Sequence, residues 1–375
     1  MRLLKTSRCR AHLALVLVAA LWGLTFPVIK ATNRLVLRNH AAQFAGPRAQ
    51  PTASAPGGGG EADLWAQVRA ASFLTIVRFA AALIVLVLVR PARIAEATVR
   101  DWLRGAAVGL LFSGGAVLQV AGMSTIDASR SGFLTSLSLV FTPLLVFLTT
   151  RRRPGARVVG GIASSLLGLA FLCGLFGHDG PGPSARGDVT AFGMGDLLTI
   201  ASSFLFAVQI LAVDRWGGSA RSGRLAPGML LGGAAAAGLT FFLTLVIRPE
   251  PAGWVSWYHL GLNPRFAGLV AVLAIPCTAV AFSMMIRYQP AVSPVLAAVL
   301  YTSEPVFAAL WAATIPPALG LWTGIEYAPE YPSSGTVLGS LLIVGGTVSV
   351  SLPGRGEGPS QAEDSEGKAT LHPDQ

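Results

Sequence analysis

Glu304 and Arg78 are the side chains with most chemistry to offer, because each stands inside a long apolar run. Glu304 falls near the middle of Ser293–Trp311, reading SPVLAAVLYTSEPVFAALW, and Pro305 follows it at once. At the centre of a membrane helix, Asp, Lys or Arg costs roughly 2.5–3.5 kcal/mol, and Glu is a close relative. A carboxylate held there can take a proton, bind a cationic group or pair with Arg78 across a cavity. It can equally stay neutral and hydrogen-bond to backbone freed by Pro305, since proline removes a donor and kinks a helix. Arg78 follows Ala71-Ser72-Phe73-Leu74-Thr75, which leaves two readings: facing a partner or cavity, or reaching the outer headgroups. Gln119 and Gln209 stand in other apolar runs, where an amide lines a pore or bonds to a neighbouring helix. Trp22, Phe26, Phe133 and Tyr301 either wall such a cavity or pack. Pro27, Pro143 and Pro305 mark candidate breaks or hinges.

The elements that must position these residues are membrane helices. Hydrophobic residues make up 53% of the chain and charged residues only 12%, with a mean hydropathy of +0.61; soluble proteins carry about 25% charged residues. The apolar runs recur in blocks of bilayer-spanning length. Ten spans are expected: Leu13–Ala31, Ala70–Val89, Leu103–Met123, Ser131–Thr150, Val158–Phe176, Leu197–Val213, Gly228–Ile247, Phe266–Ile286, Ser293–Thr314 and Gly335–Leu352. Polar, low-complexity residues 33–69 read as a flexible insertion, and residues 177–193 as a Gly/Pro-rich connection. A Trp-rich stretch between the seventh and eighth spans suggests a segment at headgroup level. Residues 1–12 read as a basic cytoplasmic N-terminus and 353–375 as a disordered cytoplasmic tail.

The ninth span has an echo in the fourth. With Pro143 laid on Pro305, Ser131 falls on Ser293, Leu134 on Leu296 and Leu148 on Leu310, while Thr142 faces Glu304. Gly161 then matches Gly339, and Gly168 matches Gly346, after a shift for the longer connection before the tenth span. Two units of five spans each, residues 13–176 and 194–352, must enter the membrane in opposite senses, as inverted repeats do. The side holding the N-terminus carries about twice as many Lys and Arg as the other, which places both termini in the cytoplasm.

The formal charge of +10 does not indicate nucleic acid, because Lys and Arg sit in short connections and no basic stripe runs through a polar domain. Cys9, Cys173 and Cys277 show no CxxC or Cys/His spacing, so neither a disulfide framework nor a metal site is expected. The five His all lie outside the spans and no Walker-type loop is present, which argues against an enzyme or an ATP-driven pump; no cofactor is expected. Gly105, Gly109 and Ser113, and again Gly160, Ser164 and Gly168, form small-residue stripes suited to close helix packing. Lys30 reads as snorkelling to the interface. Asp127 with Arg130, and Asp214 with Arg215, read as solvated loop charges.

The chain resembles the EamA-like drug/metabolite transporters. The resemblance rests on Leu21-Trp22-Gly23 with Phe26 and Lys30, Val77-Arg78-Phe79, Leu118-Gln119 through Gly122, Arg130 to Leu137, Thr142 to Leu145, Gly195 to Leu198, Ala207-Val208-Gln209 and Thr302 to Ala308. It implies ten helices as two inverted five-helix repeats and a central cavity opened alternately to each side. It also implies movement of a small organic metabolite or drug, often driven by protons or exchange. The fifth and tenth helices would lie away from the cavity. This sequence departs from the family in its long first connection and in Thr142, with no acidic residue after Arg151–Arg153. A site bounded by Glu304, Gln119, Gln209 and Trp22, with Arg78 nearby, is expected in the cell membrane; a homodimer stays open. The alternative is a membrane receptor, sensor or structural protein without net transport.

Overall fold

The structure is a computed structural model that describes residues 2–44, 61–123, 126, 128–151, 154–173, 175, 192–218, 222–249 and 260–351. Every regular element among them is helical, as hydrocarbon demands: a helix satisfies its own backbone where water cannot. We number the membrane-scale helices α1 (Arg2–Phe44), α2 (Glu61–Val89), α3 (Val99–Met123), α4 (Arg130–Thr150), α5 (Ala156–Leu172), α6 (Met194–Trp216), α7 (Ser222–Ile247), α8 (Pro264–Ala291), α9 (Pro294–Thr314) and α10 (Ser334–Ser351). Among the described residues nine are long and apolar enough to cross a membrane. The tenth, α5, has 17 residues, about 25 Å at 1.5 Å per residue against a hydrocarbon core of about 30 Å. The chain is a polytopic helical membrane protein.

Local sequence sets the starts. Thr98 and Asp101 exchange hydrogen bonds, Thr98 N–H to Asp101 Oδ2 (3.1 Å) and Asp101 N–H to Thr98 Oγ1 (3.2 Å), a capping box for α3. Asn263 with Pro264 opens α8, and Ser293 with Pro294 opens α9; each cap accepts a backbone N–H two or three residues on. The expected flexible insertion at 33–69 needs correction at both ends, since α1 runs to Phe44 and α2 begins at Glu61. Arg69, at its end, is buried and donates to the carbonyls of Thr244 (3.0 Å) and Arg248 (2.5 Å), closing the last turn of α7. The expected headgroup segment before α8, the connection between the halves and the tail fall largely outside the described residues.

Small residues let the helices meet backbone to backbone, because lipid tails offer no hydrophobic reason for helices to associate. A Cβ added at Gly105 would lie 2.3 Å from Leu225 O, and at Gly232 2.5 Å from Ala106 O, so α3 and α7 interlock. Ser113 Oγ donates to Gly233 O (3.0 Å) at the same seam. On α5 the contacting residues are Gly161, Ser164 and Gly168. Gly160 has nothing within 4 Å of its Cβ position, so the expected stripe is corrected by one residue at its first member. Gly161 packs on Gly346, and Gly168 on Gly339, of α10.

Polar contacts between helix ends divide into two groups at opposite ends of the bundle. Beside the N-terminal end of α1, Arg224 pairs with Glu96 (3.0 Å) and Gly218 N–H donates to Ile286 O (3.0 Å). At the other end Arg130 pairs with the buried Asp196 (2.6 Å). This corrects the reading of Arg130 as a solvated loop charge; Asp127, its expected neighbour, lies outside the described residues. Lys30 does not merely snorkel: it pairs with Glu330. Arg34 donates to Glu326 O (2.9 Å) and lies 4.7 Å over the Tyr327 ring.

Burial, then Glu330, push the Tyr327 hydroxyl up to about 12 from an ordinary 10, with Arg34 opposing. A raised tyrosine favours the fold in its protonated form. Its contribution is therefore complete below pH 10 and lost as pH rises through about 12. Thermal denaturation of the purified protein should show Lys30→Gln changing stability by under about 1 kcal/mol, as for exposed ion pairs, and Arg34→Ala changing it more, because Arg34 loses a backbone bond and a ring contact together.

Candidate functional site

The α9 helix is interrupted at Thr302–Ser303, immediately before Glu304. There the N–H groups of Thr302 and Ser303 turn back to the carbonyls of Val299 and Leu300 (both 3.2 Å). Their hydroxyls donate to the same two carbonyls at 2.6 and 2.7 Å. The break thus satisfies itself with local hydroxyls. Glu304 becomes the first residue of a new helical segment, with Pro305 in its first turn, where the positive end of the helix dipole favours a carboxylate. Its side chain is half-buried, and no hydrogen bond or ion pair of it is found among the described residues. Backbone freed by Pro305 therefore does not hold it. Pro143 and Pro27 lie inside helical segments; α4 is interrupted earlier, at Ser136–Leu137. Thr142, the counterpart of Glu304, is buried and donates to Ser138 O (2.7 Å) of its own helix.

The Glu304 segment lies against α1. A Cβ on Gly23 would come within 2.8 Å of Ala308 N, 2.9 Å of Phe307 Cβ and 3.0 Å of Glu304 O, so only glycine admits this approach. Trp311 Nε1 donates to Ala20 O (2.9 Å) on the same seam. One turn before Glu304, Tyr301 tilts against Trp22, with ring centroids 5.2 Å apart.

From Trp22 a chain of rings crosses the middle of the bundle. Trp22 meets Phe282 at 5.7 Å, Phe282 meets Phe79 at 5.7 Å and Phe112 at 5.0 Å, and Phe112 meets Phe206 at 6.0 Å. Each pair falls in the range where aromatic edges and faces attract. The rings come from α1, α2 and α3 on one side and α6, α8 and α9 on the other. Tyr301 is fixed in turn by Gln289: its hydroxyl donates to Gln289 Oε1 (2.9 Å), and Gln289 Nε2 donates to Ile210 O of α6 (2.7 Å). Phe112, Phe206 and Phe282 carry no sequence signal, because a phenylalanine in an apolar run does not separate lining from packing. Phe26, offered as a wall, is 54% exposed on the outside of α1.

Arg78 is buried near the middle of its span, 8% exposed, beside Phe79 and Cys277. Among the described residues no ion pair joins it to Glu304 or to another carboxylate. Gln119 Nε2 donates to Thr135 Oγ1 (3.0 Å), tying α3 to the first segment of α4. Gln209 is buried in α6. Trp22 and Glu304 are thus brought to one seam, while among the described residues Arg78 reaches Trp22 through the rings of Phe79 and Phe282. No described contact links Gln119 or Gln209 to that group.

A broken helix, a mid-span carboxylate and an aromatic centre within a bundle of apolar helices define a polytopic membrane protein with a buried polar site. Residues 66–174 match the EamA-like transporter family, and over that part of the chain the resemblance is shown. A protein of Archaeoglobus fulgidus described as an uncharacterized transporter is 24% identical over 209 residues, 56% of this chain and 50% of that protein. The chain thus spans about half the length of that relative. A crystal structure of another protein superposes with a TM-score of 0.61, covering 91% of this chain and 96% of that one at 18% identity, which shows the fold alone.

Proposed function

We propose that the protein is a secondary transporter that moves a small organic solute across the cell membrane by alternating access, coupled to protons or to exchange. In this reading ten helices form two inverted five-helix repeats, α1–α5 and α6–α10, with both termini cytoplasmic. The observation that carries it is the pattern of helix contacts. Exchanging each helix for its counterpart five places on turns α3–α7 into α8–α2, α3–α6 into α8–α1, and α4–α6 into α9–α1. It leaves α2–α7, α4–α9 and α5–α10 unchanged. All of these pairs are in contact.

The glycine contacts follow the same rule. If Gly161 corresponds to Gly339 and Gly168 to Gly346, the contact of Gly161 with Gly346 becomes that of Gly168 with Gly339, and both are present. Inverted repeats of this kind hold their substrate near the midplane, where discontinuous helices present their ends. The α9 break, Glu304 and the ring chain fit that position.

The test is counterflow in proteoliposomes carrying the full chain, with a mixed metabolite extract analysed by mass spectrometry and internal pH recorded. Selective solute movement is expected in the wild type. Trp22→Ala should lower that movement far more than Phe26→Ala, since Trp22 carries ring contacts to Tyr301 of α9 and Phe282 of α8 and Phe26 faces outward. Solute binding without movement would instead favour a receptor.

A further inference from the structure

Among the described residues, two buried donors at the meeting of α1, α2 and α8 have no acceptor. Trp22 Nε1 and Arg78 Nε are both sealed from solvent without a hydrogen-bond partner. Neither group can accept a bond: an indole nitrogen only donates, and a guanidinium only donates. The ring chain Trp22–Phe282–Phe79 connects them, and the Arg78 guanidinium stands 5.2 Å over the Phe79 ring. The missing counterpart is therefore an acceptor, and because Arg78 carries a fixed positive charge near the middle of its span, a negatively charged one.

The backbone opposite Arg78 is also irregular. Ile275–Val280 of α8 is a π-helical turn that carries Cys277, and Thr278 Oγ1 donates across it to Leu273 O (2.7 Å). Such widened turns gather at functional sites. An unpaired charge inside a span is otherwise a heavy cost. No carboxylate lies within ion-pair distance of Arg78 among the described residues, and its depth in the span removes it from lipid headgroups.

We infer that Arg78 and Trp22, where α1, α2 and α8 meet, bind an oxyanion, a carboxylate or phosphate carried on a flat apolar body, by donating to its oxygens, with the Phe79 and Phe282 rings beside the body. This deepens the transporter reading by naming the charge and shape of its solute. A guanidinium fork suits such a group because it can donate two parallel bonds to one oxyanion.

The experiment uses the purified full chain in detergent, with benzoate, phenyl phosphate and the uncharged benzamide as probes. Benzoate, phenyl phosphate or both should bind about tenfold or more tightly than benzamide, the ratio expected for hydrogen bonds to a charged group. Arg78→Gln should abolish that preference, and Arg78→Lys should keep part of it. The comparison of benzoate with phenyl phosphate decides which oxyanion the site takes.

A second measurement leaves Arg78 in place. In a Cys9→Ser, Cys173→Ser background, the oxyanion probes should slow alkylation of Cys277, and benzamide should not. Equal binding of benzamide and the anions, a preference unchanged in Arg78→Gln, or equal protection of Cys277 would overturn the inference. Solute movement without any anion preference would sink this site and leave the transporter reading standing. Anion preference without movement of any solute would do the reverse.

Discussion

Glu304→Gln is expected to reduce solute movement by roughly tenfold or more, the loss that follows when an interaction with a charged group is removed, and to flatten its dependence on pH. Insertion and yield should stay at wild-type levels. Glutamine keeps the size and helix propensity of glutamate, and no folded-state bond of the Glu304 side chain is lost among the described residues. The seam around it, Gly23 against Ala308 and Trp311 against Ala20 O, is made by glycine, indole and backbone. What the substitution removes is the ability to exchange a proton or attract a cation at the head of a helix segment. Counterflow at several pH values in proteoliposomes checks it, beside thermal denaturation of the same preparation. Unchanged transport with an unchanged pH profile would remove Glu304 from the mechanism.

The second large effect is structural. Gly109→Ala should lower stability by about 1–3 kcal/mol or more, the range for overpacking, because the new Cβ would lie 2.1 Å from Met229 O and 2.6 Å from Gly233 N. Both obstacles are backbone, so relief requires α3 and α7 to separate, which also strains the bond from Ser113 to Gly233 O. Gly160→Ala provides the matched control: nothing lies within 4 Å of its Cβ position, and alanine gains up to about 1 kcal/mol of helix propensity over glycine. Melting temperatures of the two variants in the same detergent should move in opposite directions, or the second not at all. Equal losses would mean that both act through general helix chemistry rather than through the α3–α7 seam.

The polytopic helical class and the order of the nine spans among the described residues are readable because hydrocarbon imposes a length and a polarity on each one. The starts of α3, α8 and α9 lie within about four residues of expectation, a margin normal for helix ends, and caps at Thr98 and Asn263 explain the earlier starts of α3 and α8. The α3 glycine stripe was readable for a similar reason, since its spacing follows from helix period alone. The α5 stripe starts on Gly161 where spacing points to Gly160, because two neighbouring glycines look alike in sequence and only the facing helix selects between them. The composition of residues 33–44 and 61–69 suggests flexibility, yet they extend α1 and α2; Arg69 is held there by α7 carbonyls that sequence spacing does not reveal.

The sequence by itself determined a polytopic membrane protein, the transporter-like order of its motifs, and Glu304 as an exceptional charge. Those conclusions follow from local properties, namely hydropathy, period and the cost of a carboxylate in an apolar run. Only the tertiary structure decided who meets whom. It placed Arg78 beside Cys277 with no ion pair to Glu304 among the described residues, paired Lys30 with Glu330 and Arg130 with Asp196, and joined rings from six helices between Tyr301 and Phe206. Contacts between distant residues depend on how helices rotate and cross, and apolar runs of similar composition carry no record of that.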